Sequence, residues 1–325
     1  MQKIWKERNS MKIAMVGSGA AGSVFASYLQ KGGAEEMWLI DPYKAHMDKV
    51  AADGMIFRNP DGEFHVTGFK TAYSAEGVPQ VDIVIIMVKT TITDVACETA
   101  KLIAGPDTVI VTLQNGLGNE EVLKKYFPAG RILFGCGNMG TELPEPGVCV
   151  SKPSAGVENL YFGPCEMNDV TRAAGEYLEK CFAAGGAKPR FYDDVRERIW
   201  KKATSNSGFN TVCAVLRLKI REVYDTPEGV KLVWDIWKEA SDVAAALGIP
   251  GIWEYMQEEM PRVVKGLGDY YPSMAQDCQK HRQTEVDSLT GAISMFGRKV
   301  GVPTPTCDVI TLAVKAIQAN YERQY

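Results

Sequence analysis

A chain of 325 residues exceeds what one hydrophobic core ordinarily organises, so two domains are expected. With 46% hydrophobic residues, 23% charged residues and a net charge of −4, it offers no electrostatic reason to bind nucleic acid or an anionic membrane surface. No apolar run approaches membrane-spanning length, and the polar stretch Met1–Ser10 lacks the apolar core of a secretory signal; it reads as an extension of a cytoplasmic protein, with Met11 as an alternative start.

Met11 to Val16 is expected to form a buried strand, followed by Gly17-Ser18-Gly19-Ala20-Ala21-Gly22. In that loop Gly17 permits a tight turn, Gly19 lets backbone approach a pyrophosphate, and Gly22 lets the next helix pack closely on the strand. The helix, Ser23 to Lys31, offers its N-terminal N–H groups to the phosphates and stops at Gly32-Gly33. Met37 to Asp41 returns as a second strand with a carboxylate at its end, about 20 residues beyond the loop, where a ribose would lie. Asp41 can accept hydrogen bonds from both ribose hydroxyls and repels a 2′-phosphate, which favours NAD(H) over NADP(H). Lys44 softens that preference, and an Asp-Pro turn is the structural alternative.

Gly54 to Thr67 has the alternation of an antiparallel excursion, whereas Val81 to Val88 is the near-continuous apolar run of a central parallel strand. Thr93 to Ile103 reads as a helix, Thr108 to Leu113 as a strand, Glu120 to Tyr126 as a helix and Arg131 to Gly135 as a strand. Such alternation means an α/β fold, a Rossmann-type doubly wound parallel sheet whose ligand sits beyond the strands' C-terminal ends. Helices are expected at Val195–Leu216, Pro227–Leu247, Ile252–Val264, Met274–Phe296 and Val309–Ala319. The organisation is therefore an extension over 1–10, a dinucleotide-binding domain over 11–190 and an all-helical substrate domain over 191–325.

Eight scattered cysteines and three histidines form no disulfide frame and no metal spacing, so no metal is expected. Three other segments carry candidate chemistry. Asn115, after the strand ending at Leu113, can bond ribose or substrate or simply make an Asn-Gly turn. Lys89, at the end of the preceding strand, is a cofactor contact or a solvated lysine. Lys202, Asn206 and Asn210 recur every four residues and share one helix face, as a catalytic stripe with a proton-donating lysine or a solvent-facing one. Ser273 with Gln276 fits a capping box, and Asp277, His281 and Glu285 would follow on one helical face.

In order and spacing these pieces resemble the ketopantoate reductase (2-dehydropantoate 2-reductase) family from Met11 onward. The matching segments are the Gly17–Gly22 loop, Val88-Lys89, Leu113-Gln114-Asn115-Gly116, Trp200-Lys201-Lys202 with Asn206 and Asn210, and Ser273-Met274 with Gln276-Asp277 and Glu285. The resemblance implies a Rossmann domain, a helical domain and a substrate cleft between them. It also implies hydride transfer from reduced nicotinamide to the C2 ketone of a 2-oxo acid. Lys202 would be the general acid and Glu285 its orienting partner; Asn206, Asn210 and Ser273 would hold the substrate, and Asn115 would lie between cofactor and substrate.

The chain departs from the family pattern at three places. Asp41 stands where a basic residue usually meets the 2′-phosphate of NADPH, Thr211 where proline commonly follows the second asparagine, and Leu218-Lys219-Ile220-Arg221-Glu222 where a further asparagine precedes Gly-Glu-Leu. Reduction of 2-dehydropantoate to (R)-pantoate in pantothenate biosynthesis is the leading expectation, with NAD(H) preferred and NADP(H) the family's usual alternative. A reductase of another branched or bulky 2-oxo acid and a catalytically silent NAD-binding sensor are the alternatives. A homodimer is one arrangement the sequence allows.

Overall fold

The computed structural model describes residues 11–153 and 158–323; the expected extension Met1–Ser10 lies outside them. Among the described residues the chain divides into two compact units, one over 11–114 with 119–195 and one over 115–118 with 196–323. The division thus falls a few residues beyond 190, and Asn115–Gly118 groups with the helical unit.

In the first unit β1 (Lys12–Val16), α1 (Ala20–Lys31), β2 (Glu36–Ile40) and α2 (Lys44–Asp53) come first. The hairpin β3 (Met55–Asn59) and β4 (Gly62–Val66) follows, then β5 (Phe69–Ala72), β6 (Val81–Ile86), α3 (Thr93–Ile103) and β7 (Ala104–Thr112). The unit ends with α4 (Asn119–Leu123), β8 (Ile132–Gly137), β9 (Met139–Glu145), β10 (Val148–Pro153), β11 (Leu160–Pro164), α5 (Asp169–Ala184) and β12 (Pro189–Phe191). Eight strands form one sheet in the order β12-β11-β8-β7-β6-β1-β2-β5, and β4-β3-β10-β9 form a second.

The central strands are apolar at nearly every position because both faces of the sheet are covered. Ile13, Met15, Ile83, Ile85, Val109 and Val111 pack with Val24, Phe25, Tyr28 and Leu29 of α1. The alternate residues Ala14, Val16, Val84, Ile86 and Ile110 pack with Ala96, Cys97, Ala100 and Ile103 of α3. The large sheet is not wholly parallel: β11 runs antiparallel to β8. An antiparallel neighbour needs no crossover helix, and the chain between β8 and β11 instead supplies β9 and β10 to the small sheet.

The second unit contains α6 (Arg196–Leu216), α7 (Ile220–Tyr224), α8 (Pro227–Ala246), α9 (Ile252–Leu267), α10 (Ser273–Gln279), α11 (Thr290–Val300) and α12 (Pro305–Gln318). Helix α6 is central, buried from Ser207 to Ala214, and its Phe209 meets the wholly buried Trp237 of α8 edge to face at 5.8 Å. The single helix expected over Met274–Phe296 is broken. It ends at Gln279, His281 takes a left-handed backbone (φ 50°), and a short 3₁₀ turn at Val286–Ser288 precedes α11. Asp277, His281 and Glu285 therefore do not share a helix face.

The capping box expected at Ser273 is also absent. Pro272 occupies the cap position and the Gln276 amide donates to the Tyr271 carbonyl, so the Ser273 hydroxyl is spared for other contacts.

The β1–α1 corner has the least room for change. A Cβ on Gly22 would lie 2.0 Å from the Gly17 carbonyl oxygen. Gly22→Ala is expected to lower stability by about 1–3 kcal/mol, as forced overpacking does, read as a lower midpoint in thermal unfolding.

Candidate functional site

In the first unit the expected cofactor residues gather at one place. Gly17 turns with φ 94°, and its N–H donates to the Ile40 carbonyl at 2.9 Å, joining the loop to the end of β2. The Ser18 N–H donates to one Asp41 oxygen at 2.7 Å, while the other accepts from the Tyr43 N–H at 2.9 Å. Asp41 is thus both the turn-maker of an Asp-Pro corner and a carboxylate fixed against the glycine loop; the two roles do not exclude each other. A Cβ on Gly19 would meet nothing within 4 Å, so the loop backbone faces open space there. Ala20 and Ala21 begin α1, whose N–H groups are the anion-binding end of the helix. These features suit a dinucleotide's pyrophosphate and ribose. Lys89 caps the short turn Thr90–Ile92, after β6.

Behind the loop lies a buried polar cluster that the sequence reading missed. His46, on α2, is wholly buried, with its ring between the Ser23 hydroxyl at 3.0 Å and the Gly147 N–H at 2.9 Å. Its spacing from the buried Met47 and Val50, on the inner face of α2, was the available signal.

In the second unit Asn115, Asn206, Asn210, Ser273 and Glu285 line one cleft. Met274, Asp277, Ser288 and Leu289 complete it. The Lys202 ammonium donates to Asn115 Oδ1 at 2.8 Å, and the Asn210 amide donates to the Ser273 hydroxyl at 3.3 Å. Along this stripe of α6 Lys202 and Asn206 are half-buried and Asn210 is buried. Leu117 N–H donates to the Ser288 carbonyl at 2.7 Å, which seats the Asn115–Gly118 segment on the 3₁₀ turn that follows Glu285. Asp277, 6% exposed, is held by Arg282 at 3.1 Å. Among the described residues no helix is long and apolar enough to cross a membrane.

A Rossmann-type sheet with a glycine loop and acidic β2 terminus, joined to a helical unit bearing a lysine–asparagine cleft, is the make-up of a nicotinamide-dependent oxidoreductase. The model described as Ketopantoate reductase PanE/ApbA matches residues 13–166, and the one described as Ketopantoate reductase PanE/ApbA C terminal matches residues 194–318. The chain belongs to the ketopantoate reductase family of oxidoreductases. It is 29% identical over 314 residues to the 2-dehydropantoate 2-reductase of Streptococcus pyogenes serotype M1, covering 95% of this chain and 98% of the relative. Its fold matches a ternary structure of D-mandelate dehydrogenase with NADH and anilino(oxo)acetate, with TM-score 0.84, 28% identity, and 97% and 100% of the two chains covered. It is equally similar to 2-dehydropantoate 2-reductase from Geobacter metallireducens GS-15, with TM-score 0.84, 27% identity, and coverage of 94% and 99%.

Burial holds the His46 pKa below its ordinary 6.5, against an opposing pull from Asp41. Unfolded, the ring takes a proton near pH 6.5; folded, it resists. The associated stability is complete above about pH 6.5 and is lost as pH falls below it. Urea unfolding from about pH 7.5 to about pH 5.5 is expected to show the parent losing more stability than His46→Gln, by at most about 1.4 kcal/mol per pH unit.

Proposed function

We propose that the protein reduces the ketone of a 2-oxo acid to a 2-hydroxy acid, with 2-dehydropantoate the leading substrate, (R)-pantoate its product and NADH the preferred cofactor. The observation that carries this reading is the Lys202 ammonium held at 2.8 Å by Asn115 beside a cleft lined by neutral amide and hydroxyl groups and by the carboxylates of Asp277 and Glu285. A reduced nicotinamide, when bound, supplies the hydride to the carbonyl carbon. Lys202 delivers the proton to the carbonyl oxygen as negative charge develops there, and general acid catalysis of this kind is worth about 10²–10⁴ in rate. Asn206, Asn210 and Ser273 present hydrogen-bonding groups to the substrate carboxylate and hydroxyl, which fixes the reacting carbonyl. Glu285 balances the lysine's charge and orients the nascent hydroxyl. Asn115 restrains the ammonium so that its proton is delivered in one direction.

Gly17, Ser18, Gly19, Ala20, Ala21 and Gly22 would hold the pyrophosphate, with Lys89 an additional contact. Asp41 would accept the ribose hydroxyls. Its two backbone hydrogen bonds leave it pre-oriented, so a 2′-phosphate would meet a fixed negative charge.

A second reading, reduction of a bulkier 2-oxo acid, is favoured by the fold's likeness to D-mandelate dehydrogenase with its bound anilino(oxo)acetate. The Leu218–Glu222 segment, which lacks the asparagine common in the family, supports it as well. Initial rates with 2-dehydropantoate and with phenylglyoxylate, each with NADH and NADPH, separate the two readings. Faster turnover of phenylglyoxylate moves the substrate to the aromatic acid, and no turnover of any 2-oxo acid with NADH still bound leaves only a sensor.

Lys202→Ala is expected to lower kcat by about 10²–10⁴-fold with NADH binding unchanged; unaltered kcat would remove the lysine from the chemistry. Asp41→Ala is expected to narrow the NADH-over-NADPH preference in kcat/KM by about tenfold, and no change in the ratio would assign cofactor choice elsewhere.

A further inference from the structure

The buried cluster behind the glycine loop has a direction at every link. Gly147 N–H, in the turn between β9 and β10, donates to His46 Nδ1 at 2.9 Å. A backbone amide only donates, so Nδ1 carries no proton and the neutral ring carries it on Nε2. Nε2–H therefore donates to Ser23 Oγ at 3.0 Å, and the Ser23 hydroxyl donates to the Ser18 carbonyl at 2.8 Å. The Ser18 N–H in turn donates to Asp41.

The Ser18 carbonyl and the Gly19 N–H belong to one planar trans peptide and point opposite ways. Drawing the carbonyl inward onto Ser23 turns the Gly19 N–H outward, on the side where a Cβ of Gly19 would meet open space. Without its histidine donor the Ser23 hydroxyl keeps only the Ser18 carbonyl and a 3.4 Å contact with the Ser18 hydroxyl, so Ser23 by itself holds that peptide less firmly.

We propose that His46 is a positioning residue for the dinucleotide: through Ser23 it sets the Ser18–Gly19 peptide so that the Gly19 N–H is aimed at the pyrophosphate. This rests on the cofactor reading above and extends it to a residue that touches neither cofactor nor substrate. It also makes the β9–β10 turn of the small sheet a structural support of the nucleotide site. Tyr43, whose ring stacks on His46 at 6.0 Å, braces the imidazole from the side of Asp41.

The test is NADH titration of the full-length protein by fluorescence, with steady-state kinetics alongside, for Ser23→Ala, His46→Phe, the double variant and His46→Gln. Ser23→Ala and His46→Phe are each expected to raise the NADH Kd about tenfold, while the KM for the 2-oxo acid at saturating NADH stays within about twofold. The double variant is expected to be no worse than either single, since both break one relay. His46→Gln, which offers an acceptor and a donor on one planar group, is expected to recover most of the affinity. Where His46→Phe does not fold, Ser23→Ala and His46→Gln decide.

Parent-like NADH affinity in Ser23→Ala and His46→Phe, additive losses in the double variant, or a parallel rise in the 2-oxo acid KM would overturn the role of His46 and leave the cofactor reading standing. A parent that binds neither NADH nor NADPH would overturn both.

Discussion

Between Gly17 and Gly22 the backbone approaches itself so closely that a methyl group would sit 2.0 Å from a carbonyl oxygen. The nucleotide unit depends on this approach, because it carries the chain from a strand buried on both faces into a helix lying against the same sheet. It also places the Ser18 amide over the end of β2, where Asp41 receives it. Once that corner is made, the N-terminal amides of α1, the acidic end of β2 and the open space at Gly19 fall together.

The helical unit solves a different problem, which is to place polar groups on a helix that is otherwise core. Helix α6 is buried along most of its length, and asparagine is a poor helix former there. Thr204 and Ser207 carry hydroxyls without a partner, a further sign of polar residues held inside an apolar bundle. The arrangement is tolerable because the lysine–asparagine stripe opens on a cleft, where Lys202 meets Asn115 and Asn210 meets Ser273. The Ser273 hydroxyl can serve the cleft because proline, not serine, occupies the cap of α10.

Much of this was legible from short-range pattern. The glycine spacing, the Asp41 position and the four-residue recurrence of Lys202, Asn206 and Asn210 are local features, and local geometry carries them into the fold nearly unchanged. The helix expected over Met274–Phe296 failed for the complementary reason. Residues 280–285 are all polar, with neither glycine nor proline to mark a stop, but His281 adopts a left-handed turn that residue pattern does not register. That break takes Glu285 off the helix face of Asp277, and it reaches the cleft from an irregular segment next to the Val286–Ser288 turn.

The sequence by itself determined the α/β class, the family, the glycine loop with its acidic partner and the polar stripe on α6, because each is written in residues close together along the chain. Only the tertiary structure decided that Asn115 joins Lys202 across 87 positions and that His46 meets Ser23 and Gly147 in one buried chain of hydrogen bonds. It likewise decided that β11 turns antiparallel beside β8 and that β9 and β10 leave for a second sheet. These outcomes rest on which distant groups can satisfy one another's hydrogen bonds once the apolar faces are buried, and spacing along a chain does not contain that information.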